Sequence, residues 1–127
     1  ADKMGGETVS LISLLMVLLA SIILSFDQSV VIGFSTTLLL AIGMGINNAA
    51  VFKLVPEYVP KAIGGASGWI GGLGAFGGFA IPPIMGAIAS TNGRSGYAMG
   101  FIVFAVMASL SITIVLVLKR QRRRIVV

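Results

Sequence analysis

Asn47 and Asn48 are the residues of this chain best equipped to do chemistry, two adjacent amides inside a long apolar run. Each amide both donates and accepts hydrogen bonds, and leaving either end unpaired in an apolar setting is costly. Such a pair lines a path for a polar solute, or bonds a neighbouring helix, or distorts its own helix beside Gly43 and Gly45. Composition leaves these readings open and removes most others. The chain has no Cys and no His, which excludes thiol nucleophiles, disulfides and the usual zinc ligand sets. Its acidic residues, Asp2, Glu7, Asp27 and Glu57, lie at the ends of apolar runs or between them, and no Arg lies within one. Proton relays and many cation sites depend on carboxylates inside such runs. A bound anion would rest on amides and backbone N–H groups, or on a charge from elsewhere. The expectation is no enzyme activity, no catalytic residue, no metal and no cofactor.

The second informative stretch is 62–83, AIGGASGWIGGLGAFGGFAIPP, with eight glycines at 64, 65, 68, 71, 72, 74, 77 and 78. In a soluble helix each would cost about 0.8–1.0 kcal/mol relative to alanine, so propensity alone would not hold this segment helical. In lipid the backbone has no competing water, and glycine becomes a packing surface. Gly64, Gly68 and Gly72 recur every four residues, as do Gly74 and Gly78, which puts each set on one helical face open to a neighbouring backbone. A static helix interface needs only two such glycines. Eight, followed by Pro82, Pro83 and Gly86, point to a tightly packed helix with moving partners, kinked at its prolines.

Only a membrane can position these residues. The chain is 57% hydrophobic and 10% charged with a mean hydropathy of +1.05, outside the range of ordinary soluble domains. Four apolar segments, 8–26, 29–54, 62–90 and 97–118, each approach or exceed the roughly 20 residues that cross a hydrocarbon core of about 30 Å. The connections at 27–28, 55–61 and 91–96 are short. The predicted fold is an all-α membrane protein of four transmembrane helices, with residues 1–127 as one unit that ends in a basic tail at 119–127.

The net charge of +5 does not call for nucleic acid. Five of the nine basic residues, Lys119, Arg120, Arg122, Arg123 and Arg124, directly follow the last apolar segment, as a membrane anchor does. Lys3, Lys53 and Lys61 fall on the same side as that tail in a four-span topology, and Arg94 falls on the other. By the positive-inside rule both ends are cytoplasmic. Lys53 reads as an anchor that snorkels to the interface, and Tyr58 and Tyr97 mark span ends. No signal-peptide pattern opens the chain, and its start at Ala1 rather than Met is expected of a fragment.

The first and last spans are Leu, Ile and Val rich and uncharged, and are expected to face lipid, Val115 included. The second carries Thr36, Thr37, Asn47 and Asn48, and the third carries the glycines, so these two are expected to form the inner pair.

Together these residues resemble a known family. GGASGWIGGLGAFGGFAIPPIMG, from Gly64 to Gly86, looks like the nitrate signature of the nitrate/nitrite porters of the major facilitator superfamily. VFKLVPEYVPKAIG upstream resembles the FKLVP segment that leads into it, and ADKMGG, Ala1 to Gly6, is similar to the superfamily's cytoplasmic loop motif. The matches cover most of residues 1–86 in the right order. The resemblance implies that the four spans are helices nine to twelve, the carboxy-terminal part of a twelve-helix transporter, with the glycine-rich span as helix eleven. It maps signature glycines onto Gly64, Gly68, Gly71, Gly72, Gly74, Gly77 and Gly78. The family's substrate-binding arginines belong to helices two and eight, which these residues do not include. Where the family commonly reads Gly-Asn-Gly before FKLVP, this chain has Asn47-Asn48-Ala49, a departure that bears on local helix geometry and substrate choice.

The function so implied is secondary transport of nitrate or nitrite across the cytoplasmic (inner) membrane, two halves rocking about a midplane site. The partners implied are the anion, the lipid bilayer and the remaining helices of the transporter. The rival readings are a major facilitator for another small anion or a drug, and a complete four-span membrane scaffold. A small four-helix multidrug exporter fits less well, since such proteins need an intramembrane carboxylate.

Overall fold

The computed structural model describes residues 5–26, 29–92 and 94–125, which form four helices: α1 (Gly6–Phe26), α2 (Val30–Tyr58), α3 (Ile63–Asn92) and α4 (Arg94–Ile125). Each is long and apolar enough to cross a membrane. At a rise of about 1.5 Å per residue, α2 extends roughly 43 Å.

The helices run further than the apolar segments that announce them. Gly5 enters α1 at φ +70°, a backbone conformation that suits glycine, and its carbonyl accepts from the Val9 N–H at 3.3 Å. α2 continues through Pro56 to Tyr58, because a proline one turn from a helix end removes a single ladder bond there. It stops before Pro60: Val59 takes φ −134° and ψ 59°, away from the helical region that a following proline disfavours. The expected connection at 55–61 thus shrinks to residues 59–62. α3 passes through Pro82 and Pro83 as one helix, and the basic run of 119–124 continues α4. The connecting pair Asp27 and Gln28, Gly93 between α3 and α4, and residues 1–4 of the loop-motif resemblance lie outside the described residues.

α1 packs against both α2 and α4, α3 packs on α4, and α2 meets α3 only lightly. The core is small: Val17, Ala20 and Leu24 of α1 meet Leu40 of α2 and Ala108 of α4, with Leu18 and Phe101 beside them. Among these four helices α1 is therefore the most enclosed and α3 the least, opposite to the places expected for these two, while α2 is more enclosed than α4 as expected. The cause is a stripe of small residues. Ser10, Ser13, Val17, Ala20, Ser21 and Leu24 share one face of α1, and that face lies buried. The opposite face, with Ile12, Leu15, Leu19 and Ile22, is exposed, as a lipid-facing surface would be.

The close helix approaches use glycines outside the glycine-rich signature. A Cβ on Gly43 would lie 3.0 Å from Val17 Cγ2 and 3.2 Å from the Ser13 carbonyl oxygen, so α1 and α2 touch there. A Cβ on Gly96 would overlap the Ile88 carbonyl and stand 2.5 Å from Ala89 Cα, which makes Gly96 the condition for the α3–α4 contact. One turn on, Gly100 faces the Met85 side chain.

Candidate functional site

A cavity of about 670 Å³ opens among all four helices. Asn47, Asn48, Met44 and Phe52 of α2 face Ile70, Gly71 and Gly74 of α3 across it. Leu14 and Val17 of α1 and Phe104, Met107, Ala108 and Ser111 of α4 close its other sides. A second cavity, of about 340 Å³, continues from it along α2 to Tyr58 and Val59; Leu14, Asn47, Val51, Ile70 and Ser111 line both. Both walls are chiefly apolar, with a few polar groups set among them, as in small-molecule sites generally. Asn47 lies about 16 Å from the Tyr58 end of α2, some way down a helix that spans the bundle.

The two predicted amides are treated differently. Ser10 Oγ donates to Asn47 Oδ1 at 2.7 Å, and Ser13 Oγ approaches the same oxygen at 3.4 Å while donating to the Ser10 carbonyl at 2.9 Å. The interhelical bond, one of the readings left open for Asn47, is therefore present, and Asn47 also lines both cavities. Asn48 is exposed on the larger cavity and has no hydrogen bond to a described residue. Thr37 bonds the Gly33 carbonyl of its own helix at 2.8 Å and takes no part. Ser10, Ser13 and Ser111 join the site without being expected there. The first two carry a legible signal, small polar residues three apart on the face later shared by Val17 and Ala20.

The signature glycines divide. Gly71 and Gly74 line the larger cavity, and a Cβ on Gly71 would meet Phe52 Cζ at 4.0 Å. Cβ atoms on Gly64, Gly68, Gly72, Gly74, Gly77 and Gly78 would meet nothing within 4 Å. Gly65, Gly68 and Gly72, with Trp69 and Leu73, edge an open groove on the far side of α3. Within these described residues the signature is therefore an uncovered face, not a helix–helix seam. Val115, expected to face lipid, lines the smaller cavity instead.

One end of the bundle is fastened by side chains. Tyr58 Oη donates to Glu7 Oε1, and Lys119 Nζ donates to Thr8 Oγ1 at 3.1 Å, which brings together the start of α1 and the ends of α2 and α4. Among the described residues there is no group of three or more His, Cys, Asp or Glu placed to hold a metal ion.

Apolar helices of bilayer-spanning length around a cavity with amides in its wall define a polytopic integral membrane protein. The chain matches the Major Facilitator Superfamily over residues 1–126, and it belongs to that family. It is 34% identical over 123 residues to the "Nitrite extrusion protein" of Bacillus subtilis (strain 168), covering 97% of this chain and 31% of that one. It is 35% identical over 89 residues to the "Probable nitrate/nitrite antiporter NarK1" of Thermus thermophilus, covering 70% of this chain and 20% of that one. A third relative, the "Probable nitrate transporter NarT" of Staphylococcus epidermidis, is 31% identical over 111 residues, 87% of this chain and 29% of its own. The chain thus spans under a third of the length of these relatives. No solved structure matches it.

Proposed function

We propose that this chain is the carboxy-terminal part, helices nine to twelve, of a transporter that moves nitrate or nitrite across the cytoplasmic membrane by alternating access. The observation that carries the reading is the 34% identity to a nitrite extrusion protein across 97% of the chain, signature stretch included. The site supports it chemically. An oxyanion needs hydrogen-bond donors in a partly dehydrated cavity, and Asn47 and Asn48 bring amide donors to one. The full negative charge would be met by cationic side chains on helices outside this chain.

The open glycine face of α3, which carries Gly65, Gly68 and Gly72, is where those other helices come close and slide as the two halves rock. Both termini are cytoplasmic on this reading. Lys61, Lys119 and Arg120 belong to the same end of the bundle as the Glu7–Tyr58 and Thr8–Lys119 bonds, and an excess of Lys and Arg marks the cytoplasmic side.

The test is uptake into proteoliposomes that hold the purified full-length protein. Saturable entry of labelled nitrate or nitrite, with each competing against the other, is the expected result. Folded protein that carries neither would overturn the reading.

A further inference from the structure

We infer that Ser10 and Ser13 of α1 are positioning residues for substrate: they hold the Asn47 amide by its oxygen, so that its NH2 group is what the cavity presents to an oxyanion. The inference rests on the functional reading above and deepens it, since it says which end of the amide meets the solute and which helix decides this.

The argument starts from burial. Ser10 and Ser13 are fully buried at 0% exposure, between α1 and its neighbours, where a hydroxyl without a partner is expensive. Each hydroxyl has one proton to give. Ser10 gives its proton to Asn47 Oδ1 at 2.7 Å. Ser13 gives its own to the Ser10 carbonyl at 2.9 Å and stands 3.4 Å from the same Oδ1. The amide oxygen is thus engaged from α1.

The other end of the amide is not. Asn47 Nδ2 has no hydrogen bond to a described residue, and it is not among the buried polar atoms left without a partner, so it is reached from the cavities that Asn47 lines. An Asn side chain that is free on both ends offers a donor and an acceptor alike. This one offers two N–H donors, a surface that suits nitrate or nitrite oxygens and gives nothing to a cation. Charge selection by a neutral residue is thereby set by two serines of α1; Ser10 itself borders the smaller cavity, but its one proton is already given to Asn47.

The test uses the full-length protein in proteoliposomes, with KM and kcat measured for nitrate. Asn47→Ala is expected to raise KM about tenfold, equivalent to about 1.4 kcal/mol, with a smaller change in kcat. Ser10→Ala frees the amide to turn and is expected to raise KM several-fold, less than Asn47→Ala. Ser10→Thr keeps the hydroxyl and should restore most of the affinity. The double variant Ser10→Ala with Asn47→Ala should be no worse than Asn47→Ala alone, since the serine acts only through the amide. Ser25→Ala, whose hydroxyl bonds the Ser21 carbonyl of its own helix, is the control and should match the parent.

Should Ser10→Ala not assemble, Ser10→Cys asks the same question: it fills the same place with a weak S–H donor in the hydroxyl's stead, and its KM should also rise several-fold. A parent protein that carries neither nitrate nor nitrite sinks the functional reading and this inference with it. A parent that transports, with KM raised by Asn47→Ala but unmoved by Ser10→Ala, overturns the inference alone. So does a Ser10→Ala protein that loses thermal stability and kcat at unchanged KM, or a Ser10→Cys protein with the parent KM.

Discussion

Gly43, Gly45 and Gly96 allow one substitution, glycine to alanine, to be tried in three surroundings within the same bundle. Alanine gains up to about 1 kcal/mol of helix propensity at each position, an estimate from soluble helices and an upper value in lipid. At Gly45 the new Cβ meets nothing within 4 Å, so only that gain remains. At Gly43 it stands 3.0 Å from a Val17 methyl and 3.2 Å from the Ser13 carbonyl, and α1 must yield by a few tenths of an ångström. At Gly96 it falls on backbone, 2.5 Å from Ala89 Cα and 2.9 Å from Ala89 N, and no side chain can turn aside to relieve it. Overpacking of this kind costs about 1–3 kcal/mol, with backbone overlap at the upper end.

The net expectation is neutral to slightly stabilising for Gly45→Ala, near balance to about 2 kcal/mol destabilising for Gly43→Ala, and about 2 kcal/mol destabilising for Gly96→Ala. Since about 1.4 kcal/mol is a factor of ten, Gly96→Ala should shift the unfolding equilibrium by more than an order of magnitude. The assay is titration of the purified full-length protein from mixed micelles into sodium dodecyl sulfate, followed by helical signal and by protease resistance. A Gly96→Ala midpoint equal to or above the parent's would refute the claim that α3 and α4 touch at Gly96.

Three further outcomes are expected. Gly72→Leu should reduce nitrate uptake by the full-length protein roughly tenfold or more, if overpacking of about 1–3 kcal/mol falls on a face that other helices slide along. Val117→Leu, on an exposed part of α4, should leave uptake unchanged; equal activity of the two, corrected for protein in the membrane, would make the glycine face ordinary surface. Single cysteines at Ser95 and Gln121 should react on opposite sides of the membrane with an impermeant reagent, and labelling of Gln121 from outside intact cells would reverse the topology. Tyr58→Phe removes the hydroxyl that reaches the Glu7 carboxylate and should destabilise the bundle by about 1.5 kcal/mol, the low end for a hydrogen bond to a charged group; a midpoint equal to the parent's in the same detergent titration would show that this bond does not hold the end together.

Much about this protein follows from the sequence alone. Length and apolar composition suffice for four spanning helices, because a bilayer leaves the backbone no alternative to internal hydrogen bonding. The order FKLVP, then GGASGWIGGLGAFGG, then the double proline carries the family resemblance, and Asn47 and Asn48 stand out as amides in an apolar run. Helix ends were less legible, since Tyr58 and Ile125 lie beyond the apolar segments, where hydropathy falls while the backbone ladder continues. The partners of each face were not legible at all. Which helix covers another depends on the shape left between side chains, and the Leu-rich α1 hides its small-residue stripe among large apolar neighbours. Only the packed structure puts Ser10 against Asn47, turns Val115 into a cavity, and spends Gly43 and Gly96 on close contact while Gly68 and Gly72 stay uncovered. Spacing announces that a face is smooth; what lies against that face is decided by every other helix competing for it.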